Sequence, residues 1–428
     1  MKADLKSFIR RNRAGQPVAV PSVCSSHPDV IAASALLAHE HGVPLLIEAT
    51  SNQVNQFGGY TGMRAADFIG FVSSICAKAG LARERIIFGG DHLGPQVWRA
   101  EAADTAMAHA RALLKSFVEA GFTKIHLDCS EGCRGEAAQV GDAVSAERTA
   151  ALAKVCEENA PDAGSLSYIV GTEVPPPGGA RAGDDGIVAT SPDSARATLA
   201  AQRGAIERHV SNEAWGRVIG LVVQPGLEFS ANDVHRFDSG APDLLSAVLA
   251  DHSQLAFEAH STDYQRPDVF PELARRHFAI LKVGPALTFA YRQAIYALDH
   301  IGAWYGSSDR RNPLPATMEA LMLEAPAHWA KHYTGSAAEV HRLRHFGYAD
   351  RIRYYWPKAE AAVRAVVEGL ESTRPELPLI EQYFASAVMA RAEILQGAGA
   401  SWPRALILAQ IQEALLPYFA CYGEAADN

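Results

Sequence analysis

Over its first 300 residues the chain alternates short apolar runs with longer amphipathic stretches. The runs are VAVPSVC (18–24), PLLIEAT (44–50), RIIFGGD (85–91), KIHLD (124–128), LSYIVGTEV (166–174), RVIGLVVQ (217–224), QLAFEAH (254–260) and FAILKVG (278–284). Each is short, rich in branched or aromatic residues, and closes on glycine or a polar residue, which predicts eight strands. Between them, PDVIAASALLAHEHG (28–42), ADFIGFVSSICAKAG (66–80) and TAMAHARALLKSFVEAG (105–121) read as helices. Near-continuous apolar strands alternating with helices describe a parallel sheet covered by helices. Eight units in series favour a (β/α)8 TIM barrel over an open doubly wound sheet, and no G-x-G-x-x-G follows the first strand. Beyond residue 300 the pattern becomes helical: TMEALMLEAPAHWAKHYT, EVHRLRHFGY, KAEAAVRAVVEGLES and LILAQIQEALLPYFACYG. The predicted organisation is a barrel over 1–300 and a helical extension over 301–428 packed on it.

In a barrel of this kind all strand C-termini meet at one face, and the chemistry sits there. The first strand ends near Ser22, Cys24 and Ser25, and the second in Glu48. The third ends in Asp91 and His92, the fourth in His126 and Asp128, the fifth in Glu173. The sixth ends in Gln224, the seventh in Glu258 and His260, and the eighth in Lys282 and Gly284. An Asp-His step after two glycines is, alone, an ordinary turn. Eight polar strand ends at one mouth are not explained by turns, because ionisable groups there must be paired or metal-bound. That density predicts an enzyme or a close derivative of one.

His92, Glu173 and His260, on strands three, five and seven, are candidate ligands of one divalent cation, and mixed imidazole and carboxylate donors suit zinc. Taken singly, each histidine is equally well read as a core residue. Glu258 and His126 are candidate supports of the ligands. His126 and Asp128 alternate along one strand, so one of them is expected to face the helices; Asp128, nearer the end, is the better site candidate. The segment TSNQVNQFGGYTG (50–62), with Gln53 and Asn55, reads as a sugar-binding loop, since amides both donate to and accept from hydroxyls. KVGPALTFA (282–290) offers free amides at a helix start for a phosphate. DRIRYYW (350–356) adds Arg351 and Arg353, with a charged helix face as the equal alternative.

Bulk properties narrow the field. The 428 residues are 48% hydrophobic and 20% charged, ordinary for a globular protein. A net charge of −9 disfavours nonspecific nucleic-acid binding, so an anionic substrate needs local basic groups. The start, MKADLKSFIRRNRAG, has no apolar core of a secretory signal, and no run is read as a membrane span. Six cysteines, at 24, 76, 129, 133, 156 and 421, form no disulfide framework, which points to a reducing cytoplasm. Cys129 and Cys133 make a lone C-x3-C pair, better read as buried thiols than as a zinc site.

The stretches IEATSNQVNQFGGYTG, GGDHLGP, KIHLD, IVGTEVPPPGG, VVQPGLEF, FEAHSTDYQ, ILKVGPALTFAYRQA and DRIRYYW together resemble the GatZ/KbaZ family over nearly the whole chain. Members are described as the non-catalytic or stabilising subunit of class II tagatose-1,6-bisphosphate aldolase. Others are labelled tagatose-6-phosphate kinases, tagatose-6-phosphate 4-epimerases or hexuronate epimerases. The resemblance implies ketohexose-phosphate metabolism of the galactitol type. The Asp-His step also resembles that of catalytic class II aldolases, which implies His92 as a metal ligand and Asp91 as the acid/base. A kinase would need a nucleotide site, yet there is no G-x4-G-K-[ST] loop, and PPPGGARAGDDG (175–186) reads as a loop over the mouth.

The reading that results is a metal-dependent 4-epimerase of D-tagatose 6-phosphate, with an accessory aldolase subunit as the alternative. Its candidate catalytic residues are Asp91, Asp128 and Glu48, and its metal ligands His92, Glu173 and His260. Substrate contacts are assigned to Gln53, Asn55, Gln224, Ser261, Lys282, Gly284 and Arg353. The cofactor is a divalent metal, zinc by donor type. The partners are a sugar phosphate and, in the alternative, a class II aldolase catalytic subunit; a homo-oligomer is open.

Overall fold

A computed structural model describes residues 4–171, 187–305 and 314–423. Eight parallel strands close into a barrel: β1 (Val20–Cys24), β2 (Leu45–Thr50), β3 (Ile86–Leu93), β4 (Lys124–Leu127), β5 (Ser167–Val170), β6 (Val218–Val222), β7 (Ala256–Ala259) and β8 (Phe278–Val283). Neighbours run in chain order, and β8 pairs with β1 to close the ring. Seven lie within the apolar runs and β3 runs two residues past its run, to Leu93; strands buried on both faces need no polar alternation. A small antiparallel ribbon, Glu228–Phe229 with Val234–His235, follows β6 at the mouth.

The outer layer is helical, including Pro28–Glu40, Ala65–Lys78, Ala103–Ala120, Asp142–Asn159, Pro192–His209 and Pro285–Ala303. The helix Trp402–Phe419, from the far end of the chain, packs against Pro28–Glu40, Pro285–Ala303 and β1. It is tied there by Tyr418, whose hydroxyl donates to the Thr262 carbonyl at 2.9 Å, and by Tyr422, which donates to the Pro44 carbonyl. Contrary to the sequence reading, Trp402–Tyr422 is long and apolar enough to cross a membrane by composition alone. With 67% of that window buried, its apolarity is accounted for by packing on the barrel.

Local geometry at β3 decides where the chemistry points. Successive strand residues normally face opposite sides. The β3–β4 register slips between Gly90 and Leu93, and His92 takes a left-handed φ of 47°. This bulge turns both Asp91 and His92 toward the mouth. Gly89 is required there, since a Cβ would lie 2.7 Å from the Glu48 side chain, and a Cβ on Gly94 would lie 1.7 Å from the Asp128 carbonyl oxygen.

Candidate active site

Beneath the mouth the barrel is filled by charge. Lys124 and Glu48 are fully buried, and the Lys124 ammonium lies 2.5 Å from Glu48 Oε1 and 2.7 Å from Glu258 Oε2. Lys282 lies 2.5 Å from Glu48 Oε2, 2.7 Å from Asp91 Oδ1 and 3.9 Å from Glu258 Oε1. Burial works against its charge, but Asp91 and the other acids beside it hold its pKa well above the usual ammonium value. Lys282 is therefore a fixed cation in this arrangement, unlike the neutral amine that imine chemistry needs.

Three imidazoles stand above this layer. The rings of His92, His126 and His260 face one another, with centroids 5.2 Å apart for His92–His126, 5.0 Å for His92–His260 and 5.2 Å for His126–His260. Each has one nitrogen against a carboxylate: His92 Nδ1 on Asp128 at 2.8 Å, His126 Nδ1 on Asp91 at 3.0 Å, and His260 Nε2 on Glu258 at 2.9 Å. Such pairs fix the tautomer and leave the other nitrogen for a metal. His126 Nε2 is buried with no hydrogen-bond partner, a costly state that a cation would relieve. Donor atoms of Asp91, His126, Glu258 and His260 all lie within 4.8 Å of one another.

The charge balance agrees. Four carboxylates (Glu48, Asp91, Asp128, Glu258) face two ammonium groups (Lys124, Lys282) in one buried network. Carboxylates and ammonium groups alone leave two negative charges, which a protonated His92 or a bound cation offsets. Burial pushes His260 down to about 3, so its imidazole is neutral and able to donate a lone pair. Burial also opposes charge on His92, but Asp91 and Asp128 outweigh it and hold that pKa above its ordinary value. For Asp91, burial would raise the pKa; His92 and Lys282 prevail and keep it well below the carboxylate range.

The cavity over this floor measures about 90 Å³ and reaches Asp91, His92, His260, Ser261, Lys282 and Gln53. A second chamber of about 330 Å³ shares Cys24, Gln53, Tyr60, Gly284 and Arg353 with it, and continues past Tyr291 and Trp356. Arg353 and Tyr354 come from the helical extension, in the stretch Arg351–Lys358. The Tyr354 hydroxyl accepts from Arg351 at 3.2 Å and from Arg353 at 3.1 Å.

The structure thus gathers Asp91, His92, His260, Gln53, Ser261, Lys282, Gly284 and Arg353 at one cavity. Several assignments change. Asp128 does not face the cavity; it accepts from His92 and from Ser130, so it orients His92. Glu48 lies one layer down, spent on Lys124 and Lys282. The idea that His126 or Asp128 faces the helices fails, because residues two apart share a face, and Lys124, His126 and Asp128 all point inward. Asn55 is occupied within its own loop, accepting from the Phe57 and Gly59 amides, and Gln224 likewise caps the Gly226 and Leu227 amides. The helix start after β8 is not a free phosphate cradle: Asp263 accepts from the Gly284 amide at 3.0 Å and the Ala286 amide at 2.8 Å. Glu173 and the loop 175–186 lie outside the described residues. All six cysteines are free. Lys124, Asp263, Tyr60 and Tyr354 were missed; only Lys124, a lysine heading an apolar strand, left a signal in the sequence.

Residues 5–422 match the family model of D-tagatose-1,6-bisphosphate aldolase subunit GatZ/KbaZ-like proteins. The chain is 45% identical over 428 residues to a D-tagatose 6-phosphate 4-epimerase of Agrobacterium fabrum, covering 99% of each. It also resembles the crystal structure of a probable tagatose 6 phosphate kinase from Sinorhizobium meliloti, with 45% identity and a TM-score of 0.85, covering 94% of this chain and 100% of that one.

Proposed function

Because the chain belongs to the GatZ/KbaZ-like family, we propose that it interconverts D-tagatose 6-phosphate and D-fructose 6-phosphate by inverting C4 in this cavity. The observation that carries the reading is the set of three imidazoles, each held by its own carboxylate, beside Asp91 and Lys282. The C4 hydrogen is not α to the C2 carbonyl, so simple deprotonation cannot invert that centre. Breaking C3–C4 and re-forming it on the other face of the aldehyde can. His126 and His260, whose donor atoms lie together, would hold the cation, with His92 beside them and zinc favoured by the mixed imidazole and carboxylate donors. When bound, it supplies Lewis-acid stabilisation of the negative charge left by C3–C4 cleavage.

The residues of the chain supply the rest. Asp91 accepts the C4 hydroxyl proton as the bond breaks and returns it on re-addition. Its low pKa keeps it ionised, and Lys282 at 2.7 Å fixes its orientation. Arg353, on the wall common to both chambers, takes the phosphate. The larger chamber gives the aldehyde half room to turn. A kinase reading has no support in the sequence, which contains no Gly-Lys step for a phosphate loop.

The test is direct: the purified chain, stripped with chelator and then reloaded with zinc, manganese or cobalt, is given tagatose 6-phosphate. Fructose 6-phosphate is expected only with metal, and its absence under every metal rejects the proposal. The family description favours one further reading, an accessory subunit that stabilises a class II aldolase. Co-purification with such an aldolase and a longer aldolase lifetime, without epimerisation, would establish that alternative.

A further inference from the structure

We propose a second metal site in the helical extension, formed by Glu319 on the helix Leu314–Glu324 and by His341 and His345 on the helix Ala337–Phe346. Histidines four apart lie on one helix face. Here the two rings stand 5.2 Å apart at 89°, and the carboxylate of the neighbouring helix lies between them. His345 Nε2 is 3.3 Å from Glu319 Oε2, and His341 Nε2 is 4.0 Å from Glu319 Oε1. The three donor atoms fall within 4.8 Å of one another. Ligands of a tetrahedral zinc at about 2.0–2.1 Å stand about 3.3 Å apart, so a small rotation of His341 completes the set. The imidazole of His341 is 57% exposed and free to make it.

Two surrounding contacts are those of a built site. The buried His345 is held from behind by the Tyr296 hydroxyl, 2.9 Å from Nδ1. Arg344 grips Glu319 through Nε and a terminal nitrogen, and stacks over Trp329. It bonds both Glu319 oxygens, which positions the carboxylate and opposes a second cation there. A two-histidine, one-carboxylate set with water in the fourth place suits Zn²⁺.

The position gives the site a consequence. The segment between these two helices is bonded to the stretch that carries Arg353 to the mouth. His332 Nδ1 lies 2.8 Å from Arg351, the Tyr333 hydroxyl accepts from the Arg351 amide at 3.1 Å, and Tyr355 donates to the Ala325 carbonyl. A metal joining the helices would brace that stretch.

The test uses the full chain, stripped of metal, and measures Zn²⁺ bound per chain by equilibrium dialysis at rising free zinc. His341→Ala removes an exposed ligand without disturbing the core. Wild type is expected to bind one more Zn²⁺ than His341→Ala, and Tyr296→Phe to weaken that step roughly 10–100-fold. The zinc-induced rise in melting temperature should be smaller in His341→Ala than in wild type. Equal stoichiometry and equal zinc response in wild type and His341→Ala would overturn the site, whatever the barrel centre binds.

Discussion

Asp91→Asn is expected to lower turnover of tagatose 6-phosphate by about 10²–10⁴-fold with the fold and metal content retained. The side chains have the same shape, and the amide oxygen can still accept from Lys282 and His126, which stand 2.7 and 3.0 Å from Oδ1. What the amide cannot do is take and return a proton. The effect should therefore fall on kcat with KM nearly unchanged. Steady-state kinetics, with metal content measured on the same preparation, check it. Turnover within a few-fold of wild type would remove Asp91 from proton transfer.

Lys124→Met should destabilise the fold by about 3–5 kcal/mol, the usual range for removing one partner of a buried pair. Lys124 bridges Glu48 Oε1 and Glu258 Oε2, at 2.5 and 2.7 Å. Without it, two buried carboxylates share Lys282, which sits 3.9 Å from Glu258. The pair then raises its pKa or draws in water, and both loosen the floor that carries His260. Denaturant unfolding measures the loss. Lys124→Met combined with Glu258→Gln should recover part of it, because the uncompensated charge goes with the glutamate. A single-variant loss under about 1 kcal/mol would mean that the network is solvated rather than dry.

The barrel was legible because strands buried on both faces are near-continuous apolar runs, and their ends fall where glycine and ionisable residues begin. Asp91, His92, His260 and Lys282 were found for that reason. His126 shares the inward face with Lys124 and Asp128, because strand residues two apart point the same way. The bulge at His92 is only hinted at by Gly89 and Gly90, since the register slip depends on the β4 partner. The amides of Asn55 and Gln224 looked like sugar ligands, but sequence does not tell whether an amide is consumed by its own turn. Asp263 hides in the same way, as its partners are backbone groups after β8. Tyr354 reaches the cavity from the helical extension, and no local pattern reports a contact between Tyr60 and a residue nearly three hundred positions later.

Inversion of C4 by breaking and re-forming C3–C4 leaves the C4–H bond intact, and solvent isotope reads this directly. The most direct measurement runs the metal-loaded protein on tagatose 6-phosphate in D₂O and reads the fructose 6-phosphate by NMR. Cleavage between C3 and C4 never breaks the C4–H bond, so the product should carry protium at C4. Deuterium at C4 would show that the hydrogen itself was removed and replaced from solvent, and would rule out inversion by C3–C4 cleavage.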